Sequence, residues 1–246
     1  MMTKAIFLTA YDRPELLART MRSWELVRGV LGVPFLVMIE PGPKAEECAA
    51  IVEASFVRMG HLASHVEVNP TRYGVLHHPW VGFEKMFKNF DFVIRAEDDL
   101  CVSDDVLEYF DWAEAAFRDD SEVATVHAYT DGPGSDPEVV QVLSEFNPWI
   151  WGTWKNVWHD VLGPTWDHDY STFNGTPGNQ SGWDWNLNTR IFPQLGLSGV
   201  FPEMSRVDNI GVYGIHGTAE NFRTAESFRP LHARGGYRMK GRSSEV

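Results

Sequence analysis

The sequence predicts an α/β protein with a mostly parallel sheet, helices on both faces of that sheet, and a smaller irregular half after it. In residues 4–128, apolar runs of strand length alternate with segments of helical periodicity, which is typical of a parallel sheet. A turn-rich segment follows at 131–137, and beyond it the periodicity weakens. We expect one compact domain with a nucleotide-binding half over 1–130, an acceptor-binding half over 131–234, and a flexible tail over 235–246.

The elements of the first half are predicted in alternation. The apolar runs predict strands at Lys4–Ala10, Phe35–Ile39, Val66–Val68, Phe92–Ala96 and Val123–Ala128. The segments of helical spacing predict helices at Pro14–Arg28, Ala45–Met59, Trp80–Phe90 and Asp105–Phe117. Pro14 suits the first helical turn because its missing N–H has no partner there in any helix, and Asp12 is available as a cap.

Composition limits the classes of partner. The chain has 246 residues, of which 43% are hydrophobic, so it can bury a large core. A formal charge of -13 argues against nucleic acid or an anionic membrane surface as partner. The first apolar run is too short to span a bilayer, and two cysteines give no disulfide framework. We therefore expect a cytoplasmic protein without a membrane span.

Tryptophan is concentrated in the second half of the chain. Seven of the ten tryptophans lie there: Trp149, Trp151, Trp154, Trp158, Trp166, Trp183 and Trp185. Indole rings suit the apolar faces of sugars, and they suit an ordinary core equally well. For most of the seven we expect the core.

Three consecutive acids, Glu97, Asp98 and Asp99, follow the apolar run that begins at Phe92. Adjacent carboxylates repel one another unless a positive charge lies among them, and a divalent cation bound to a diphosphate supplies it. Parallel sheets bind ligands at the carboxyl ends of their strands, where Asp12 and Glu40 are also expected. A solvated acidic loop is the alternative interpretation.

Four segments, in order, carry a resemblance to a known family. They are Ala10–Arg13, Glu97–Leu100 with the helix behind it, Gly182–Trp185, and Pro202–Arg206 with Gly211, Gly214 and His216–Gly217 beyond it. Together they resemble metal-dependent glycosyltransferases of the GT-A fold, most closely the N-acetylglucosaminyltransferase I family. The likeness extends over residues 4–220, and an ordered set of motifs arises by chance far less often than one motif.

The resemblance implies a donor site at the strand ends. Asp99 would ligate Mn²⁺ or Mg²⁺, which would bridge the phosphates of a UDP-sugar, while Glu97 and Asp98 would face ribose and sugar hydroxyls. The other residues expected around the donor are Asp12, Arg13, Glu40, His78, Ser205 and Arg206, with His216 as a second metal ligand or phosphate contact. Glu40 stands where the family has an aspartate that holds the base.

Three of these assignments have simpler alternatives. His216 would otherwise be an ordinary packed or solvated histidine. Arg13 would contact the base or a phosphate, or else pair at the surface with Asp12 or Glu15. Ser205, Arg206 and the glycines after them would close over the donor, with Arg206 reaching the diphosphate, or else form an ordinary surface loop.

The acceptor side depends on Asp184. The resemblance implies that this carboxylate is the general base that deprotonates an acceptor hydroxyl, with Trp183 and Trp185 excluding water. Its alternative role is a helix N-cap. A single displacement would invert the anomeric centre, and the acceptor, a glycan, a protein or a small molecule, would bind among residues 131–195.

The sequence thus predicts an inverting, metal-dependent glycosyltransferase that moves N-acetylglucosamine or a related hexose from a UDP-sugar to an acceptor hydroxyl. One alternative is a sugar nucleotidyltransferase, although Thr9–Pro14 is not the glycine-rich, basic loop that holds a triphosphate. The other is a non-catalytic carbohydrate-binding protein that uses the tryptophan-rich half.

Overall fold

The computed structural model describes residues 3–169, 182–211, 228 and 236–242. Its strands are β1 Lys4–Ala10, β2 Phe35–Ile39, β3 Ser64–Val68, β4 Phe92–Glu97, β5 Leu100–Val102, β6 Val123–His127, β7 Val139–Leu143, β8 Trp151–Trp154, β9 Ser198–Pro202, β10 Val207–Asn209 and β11 Arg238–Arg242. Its helices are α1 Pro14–Trp24, α2 Ala45–Met59, α3 Gly74–Met86, α4 Val106–Phe117, α5 Lys155–Val157, α6 Trp183–Asn186 and α7 Phe192–Leu195. A 3-10 turn lies at Val30–Gly32, and π-helical turns lie at Trp158–Leu162 and Leu187–Ile191.

The described strands form one nine-stranded sheet in the order β11-β7-β9-β6-β8-β4-β1-β2-β3, and β5 pairs with β10 in a separate ribbon. Strands β3, β2, β1 and β4 are parallel neighbours, so their carboxyl ends lie at one edge. Strand β8 runs antiparallel to both β4 and β6. The sheet is therefore parallel on one side and mixed on the other.

The second half of the chain completes the sheet of the first half. Strand β8 lies between β4 and β6, and β9 lies beside β6, so the strands of residues 1–130 and 131–234 are interleaved. The segment expected to be a flexible tail also contributes, since β11 pairs in parallel with β7 at the far edge. That expectation was wrong for Arg238–Arg242, because backbone pairing to an open edge strand holds this segment in place.

Helix α3 begins six residues earlier than the sequence predicts, at Gly74 instead of Trp80. Pro79 lies inside the observed helix, a position where proline normally interrupts the backbone hydrogen bonding. The Glu40 carboxylate accepts hydrogen bonds from the backbone N–H groups of Tyr73 and Gly74 at 2.9–3.0 Å, and so satisfies the start of the helix. This tertiary cap extends the helix by stabilising the turn before Pro79.

A hydrophobic layer lies on each face of the sheet. One layer contains α1, α2 and α4, with Trp24 packed edge-on against Phe35. In the other, Phe83 of α3 packs on Phe7 of β1, with ring centroids 4.9 Å apart. The expectation that most tryptophans of the second half are core residues is confirmed for the five that are buried: Trp151, Trp154, Trp158, Trp166 and Trp183. Within the described ranges, the helices are all too short or too polar to cross a membrane.

Candidate active site

The acids that follow β4 lie at the carboxyl edge of the parallel strands. Strand β4 is central in the sheet and runs parallel to β1, with Glu97 opposite Thr9. Asp98 is 2% exposed and Asp99 is 8% exposed, whereas the Glu97 side chain retains 29% of its accessible surface. The interpretation of the triplet as a solvated acidic loop is therefore wrong for Asp98 and Asp99.

Arg13, just before α1, lies between two of the buried acids. Its Nη2 pairs with Asp98 Oδ1, and its Nη1 donates to Asp99 Oδ2 at 2.8 Å. Asp98 Oδ2 also accepts the Tyr11 backbone N–H at 3.1 Å. Asp98 is thus held by protein donors, an arrangement that differs from its expected role of reading donor hydroxyls. Arg13 does not form the surface pair with Asp12 or Glu15 that was its alternative.

The cluster contains more negative than positive charge. Arg13 forms ion pairs with both Asp98 and Asp99, and Arg95 forms one with Glu97. Two guanidinium groups are therefore paired with three carboxylates. Burial, together with the charges of Glu97 and Asp98, raises the pKa of Asp99 to about 7 despite Arg13. A further cation or a proton would stabilise a carboxylate in this position.

This pKa shift predicts a pH-dependent stability. Between its ordinary pKa of 3.8 and about 7, Asp99 holds a proton in the folded state that the unfolded chain releases, so its contribution to stability is lost as pH rises. Without divalent cations, we therefore compare the melting temperature of Asp99→Asn with that of wild type at pH 5 and at pH 7.5. The difference, variant minus wild type, should increase by a few degrees from the lower to the higher pH. Thermal unfolding in EDTA at both pH values measures this. A melting-temperature difference that does not change with pH would contradict the raised pKa.

The chain returns to Asp99 through the ribbon of β5 and β10. The Ile210 N–H donates to the Asp99 backbone oxygen at 2.9 Å, and Gly211 follows directly. A Cβ on Gly211 would lie 2.3 Å from Asp99 Oδ2, so any larger residue here would displace the Asp99 carboxylate. The motif that contains Gly211 and the acidic motif are thus adjacent in space. Gly214 and His216 lie outside the described residues.

Arg95, which the sequence did not single out, links helix α6 to the acids. Arg95 of β4 pairs with Glu97 Oε1, and its guanidinium lies 4.9 Å from the centroid of the Trp183 ring. Asp184 follows Trp183 in the first turn of α6, where Gly182 is the N-cap residue. The proposed N-cap role of Asp184 is therefore wrong. The available signal for Arg95 was a single basic residue in an apolar strand.

Glu40, His78 and Asp12 all make internal contacts at the same edge. His78 Nδ1 lies 3.3 Å from Glu40 Oε1, and both residues are 4% exposed. Burial lowers the pKa of His78 to about 3, so its ring is neutral at physiological pH. Asp12 Oδ1 accepts the Lys44 N–H at 2.6 Å. The structure uses Glu40 and His78 to hold α3, which differs from the donor contacts expected of them.

Ser205 and Arg206 lie in the protein interior, and neither side chain is exposed. The Arg206 guanidinium pairs with Asp105 at 3.2 Å and lies over the Tyr109 ring at 4.7 Å. The prediction that both residues belong to a mobile cover and that Arg206 reaches a diphosphate is contradicted by this burial. Long-range packing against α4 overrides the local appearance of a surface loop.

The residues present fit a divalent cation that is shared with a diphosphate. Within the described ranges, no three His, Cys, Asp or Glu side chains are grouped to hold a metal by themselves. Mg²⁺ and similar hard cations are commonly held by one or two carboxylates together with substrate phosphates and water. Asp99 is suited to be such a carboxylate, because the cluster around it has more negative than positive charge.

Comparisons with known proteins identify the fold. No family model and no curated protein sequence matches the chain. Among solved structures, it is similar to a mannosyltransferase from Pyrobaculum calidifontis in complex with GDP-Man and Mn²⁺ (TM-score 0.53, 11% identity, 82% of this chain and 55% of that one). It is also similar to S. aureus TarS in complex with UDP-GlcNAc (0.56, 13%, 84% and 58%) and to GalNAc-T7 with UDP, GalNAc and Mn²⁺ (0.56, 11%, 85% and 44%).

The chain spans about half the length of these solved structures. At 11–13% identity, the likeness concerns the fold. It agrees with the mixed sheet and its central parallel strands. The chain has the GT-A-type α/β fold of nucleotide-sugar glycosyltransferases.

Proposed function

We propose that the protein is an inverting, metal-dependent glycosyltransferase that moves N-acetylglucosamine or a related hexose from a UDP-sugar to an acceptor hydroxyl. The observation that carries the proposal is the buried acidic cluster at the carboxyl edge of β4, which has one carboxylate more than its arginines neutralise. In parallel sheets this edge is where ligands bind. Fold neighbours solved with GDP-Man and Mn²⁺, and with UDP, GalNAc and Mn²⁺, support the same class of donor.

The described side chains divide into three roles in this proposal. Asp99 would hold Mn²⁺ or Mg²⁺ together with the donor phosphates. When bound, the metal would offset the negative charge that develops on the leaving diphosphate. Glu97, which keeps part of its surface, would accept hydrogen bonds from donor hydroxyls. Arg13 and Asp98 would fix the position of Asp99 through their mutual ion pairs.

Asp184 would act as the general base. A carboxylate in this role removes the proton from the acceptor hydroxyl as its oxygen attacks the anomeric carbon. One displacement inverts that carbon. Trp183, buried and stacked on Trp166 at 4.4 Å, gives this part of α6 a rigid apolar support and limits access of water.

Binding of UDP tests the donor site without knowledge of the acceptor. We expect saturating UDP with Mn²⁺ to raise the melting temperature by on the order of 5 °C, and UDP in EDTA to raise it far less. Thermal shift with UDP, GDP and CMP, each with and without Mn²⁺, measures both metal dependence and base preference, and UDP-sugar hydrolysis then identifies the sugar. Sugar binding unaffected by nucleotide would favour a non-catalytic carbohydrate-binding protein. Turnover of UTP with a sugar 1-phosphate would favour a nucleotidyltransferase.

A further inference from the structure

Arg95 is a buried cation in the most central parallel strand of the sheet. It is 2% exposed, and it lies between Phe7 of β1 and Trp151 of β8 in the strand register. A charge in such surroundings is costly unless it is paired and hydrogen-bonded. An apolar residue of similar volume in place of a buried ion pair is often neutral or stabilising. Stability of the sheet therefore does not account for arginine at this position.

The contacts of Arg95 join three segments that are remote in sequence. Nη2 pairs with Glu97 Oε1, Nη1 donates to the backbone oxygen of Pro148 at 3.0 Å, and the guanidinium lies over the Trp183 ring. Arg95 and Glu97 are on the same side of β4 because successive side chains of a strand alternate between its faces. A planar guanidinium can make all three contacts at once, which an ammonium cannot.

These contacts connect the donor side of the site with the acceptor side. Glu97 is the acid of the triplet that retains exposed surface, and Trp183 is the residue before Asp184. A displacement of either segment would break a contact to the same guanidinium. Removal of Arg95 would free the Glu97 carboxylate and take away the polar support beneath Trp183.

We infer that Arg95 is a positioning residue that fixes Glu97 and the base-bearing helix α6 in one arrangement, so that donor and acceptor groups are aligned together. The inference rests on the proposed function. It predicts that loss of Arg95 lowers the rate of the chemical step much more than the affinity for nucleotide, because misalignment of reacting groups affects the transition state above all.

The test compares Arg95→Met and Arg95→Lys with Arg28→Met. Arg28 also pairs with acids, Asp104 and Glu108, but it follows α1, and these partners lie just before and within α4. For Arg95→Met we expect kcat for the UDP-sugar to fall at least about tenfold, with the donor KM and the Mn²⁺-dependent affinity for UDP within about threefold of wild type. Arg95→Lys keeps the charge without the planar fork, and we expect an intermediate kcat. Arg28→Met should leave kcat unchanged.

The outcomes separate the inference from the proposed function. If wild type neither binds UDP with Mn²⁺ nor turns over a UDP-sugar, the proposed function fails, and the inference fails with it. If wild type is active and Arg95→Met keeps kcat within about twofold while only its melting temperature falls, Arg95 is purely structural and the inference is overturned. If Arg95→Met does not fold, Arg95→Lys decides, and a wild-type kcat in that variant contradicts the inference.

Discussion

Asp99→Asn is expected to abolish metal-dependent turnover of the UDP-sugar and the Mn²⁺-dependent part of UDP binding. The substitution keeps the shape of the side chain and removes its charge, so Arg13 retains Asp98 as an ionic partner. A neutral amide is a poor ligand for a divalent cation compared with a carboxylate. We expect kcat to fall by at least about a hundredfold, because the charge on the leaving diphosphate then lacks its counter-ion. Steady-state kinetics over a Mn²⁺ series and calorimetry with UDP measure the two effects.

Asp104→Asn is a matched control for this experiment. Asp104 is also 8% exposed and pairs with an arginine, Arg28, but it lies outside the acidic triplet, just before α4. Asp104→Asn breaks the ion pair to Arg28 and should lower the melting temperature, whereas Asp99→Asn changes stability in the pH-dependent way described above. Only Asp99→Asn should change the response to Mn²⁺. Equal loss of Mn²⁺ response in both variants would mean that the effect comes from general destabilisation and that Asp99 is not the ligand.

The parts of the fold that the sequence predicts well are those specified by local patterns. The observed bounds of β1, β2 and α2 coincide with the predicted bounds, because an apolar run or a helical period together with its flanking turn residues defines each element. Helix α3 was misplaced because its first turn depends on Glu40, which directly follows β2 and is remote in sequence. Strand β8 was missed because its four residues carry no clear alternation, and pairing with both β4 and β6 stabilises it.

The same distinction between local and long-range information applies to the candidate site. The acidic triplet was found because three consecutive acids after an apolar run are unusual within a single segment. The roles of Arg13 and Arg95 depend on contacts with other segments or on the strand face, which sequence spacing does not report. Arg206 was misassigned for the same reason, since its partner Asp105 is 101 residues away in sequence.

Asp184→Asn is expected to reduce transfer by a factor of about a hundred to ten thousand, the range in which a general base contributes to catalysis. UDP and Mn²⁺ should bind normally, because Asp184 is on α6 while the acids that would hold the donor follow β4. As an acidic residue in a first helical turn, Asp184 also interacts with the helix dipole, so its loss should cost about 0.3–1 kcal/mol of stability.

The exposed residue Asp160, in the π-helical segment Trp158–Leu162, provides the comparison. Asp160→Asn also removes one helical carboxylate, and it should leave transfer unchanged. Because an ionised base must be present for attack, wild-type kcat should fall on the acidic limb of its pH profile, and that limb should be absent from the residual activity of Asp184→Asn. A variant with normal transfer and the same acidic limb would exclude Asp184 as the base.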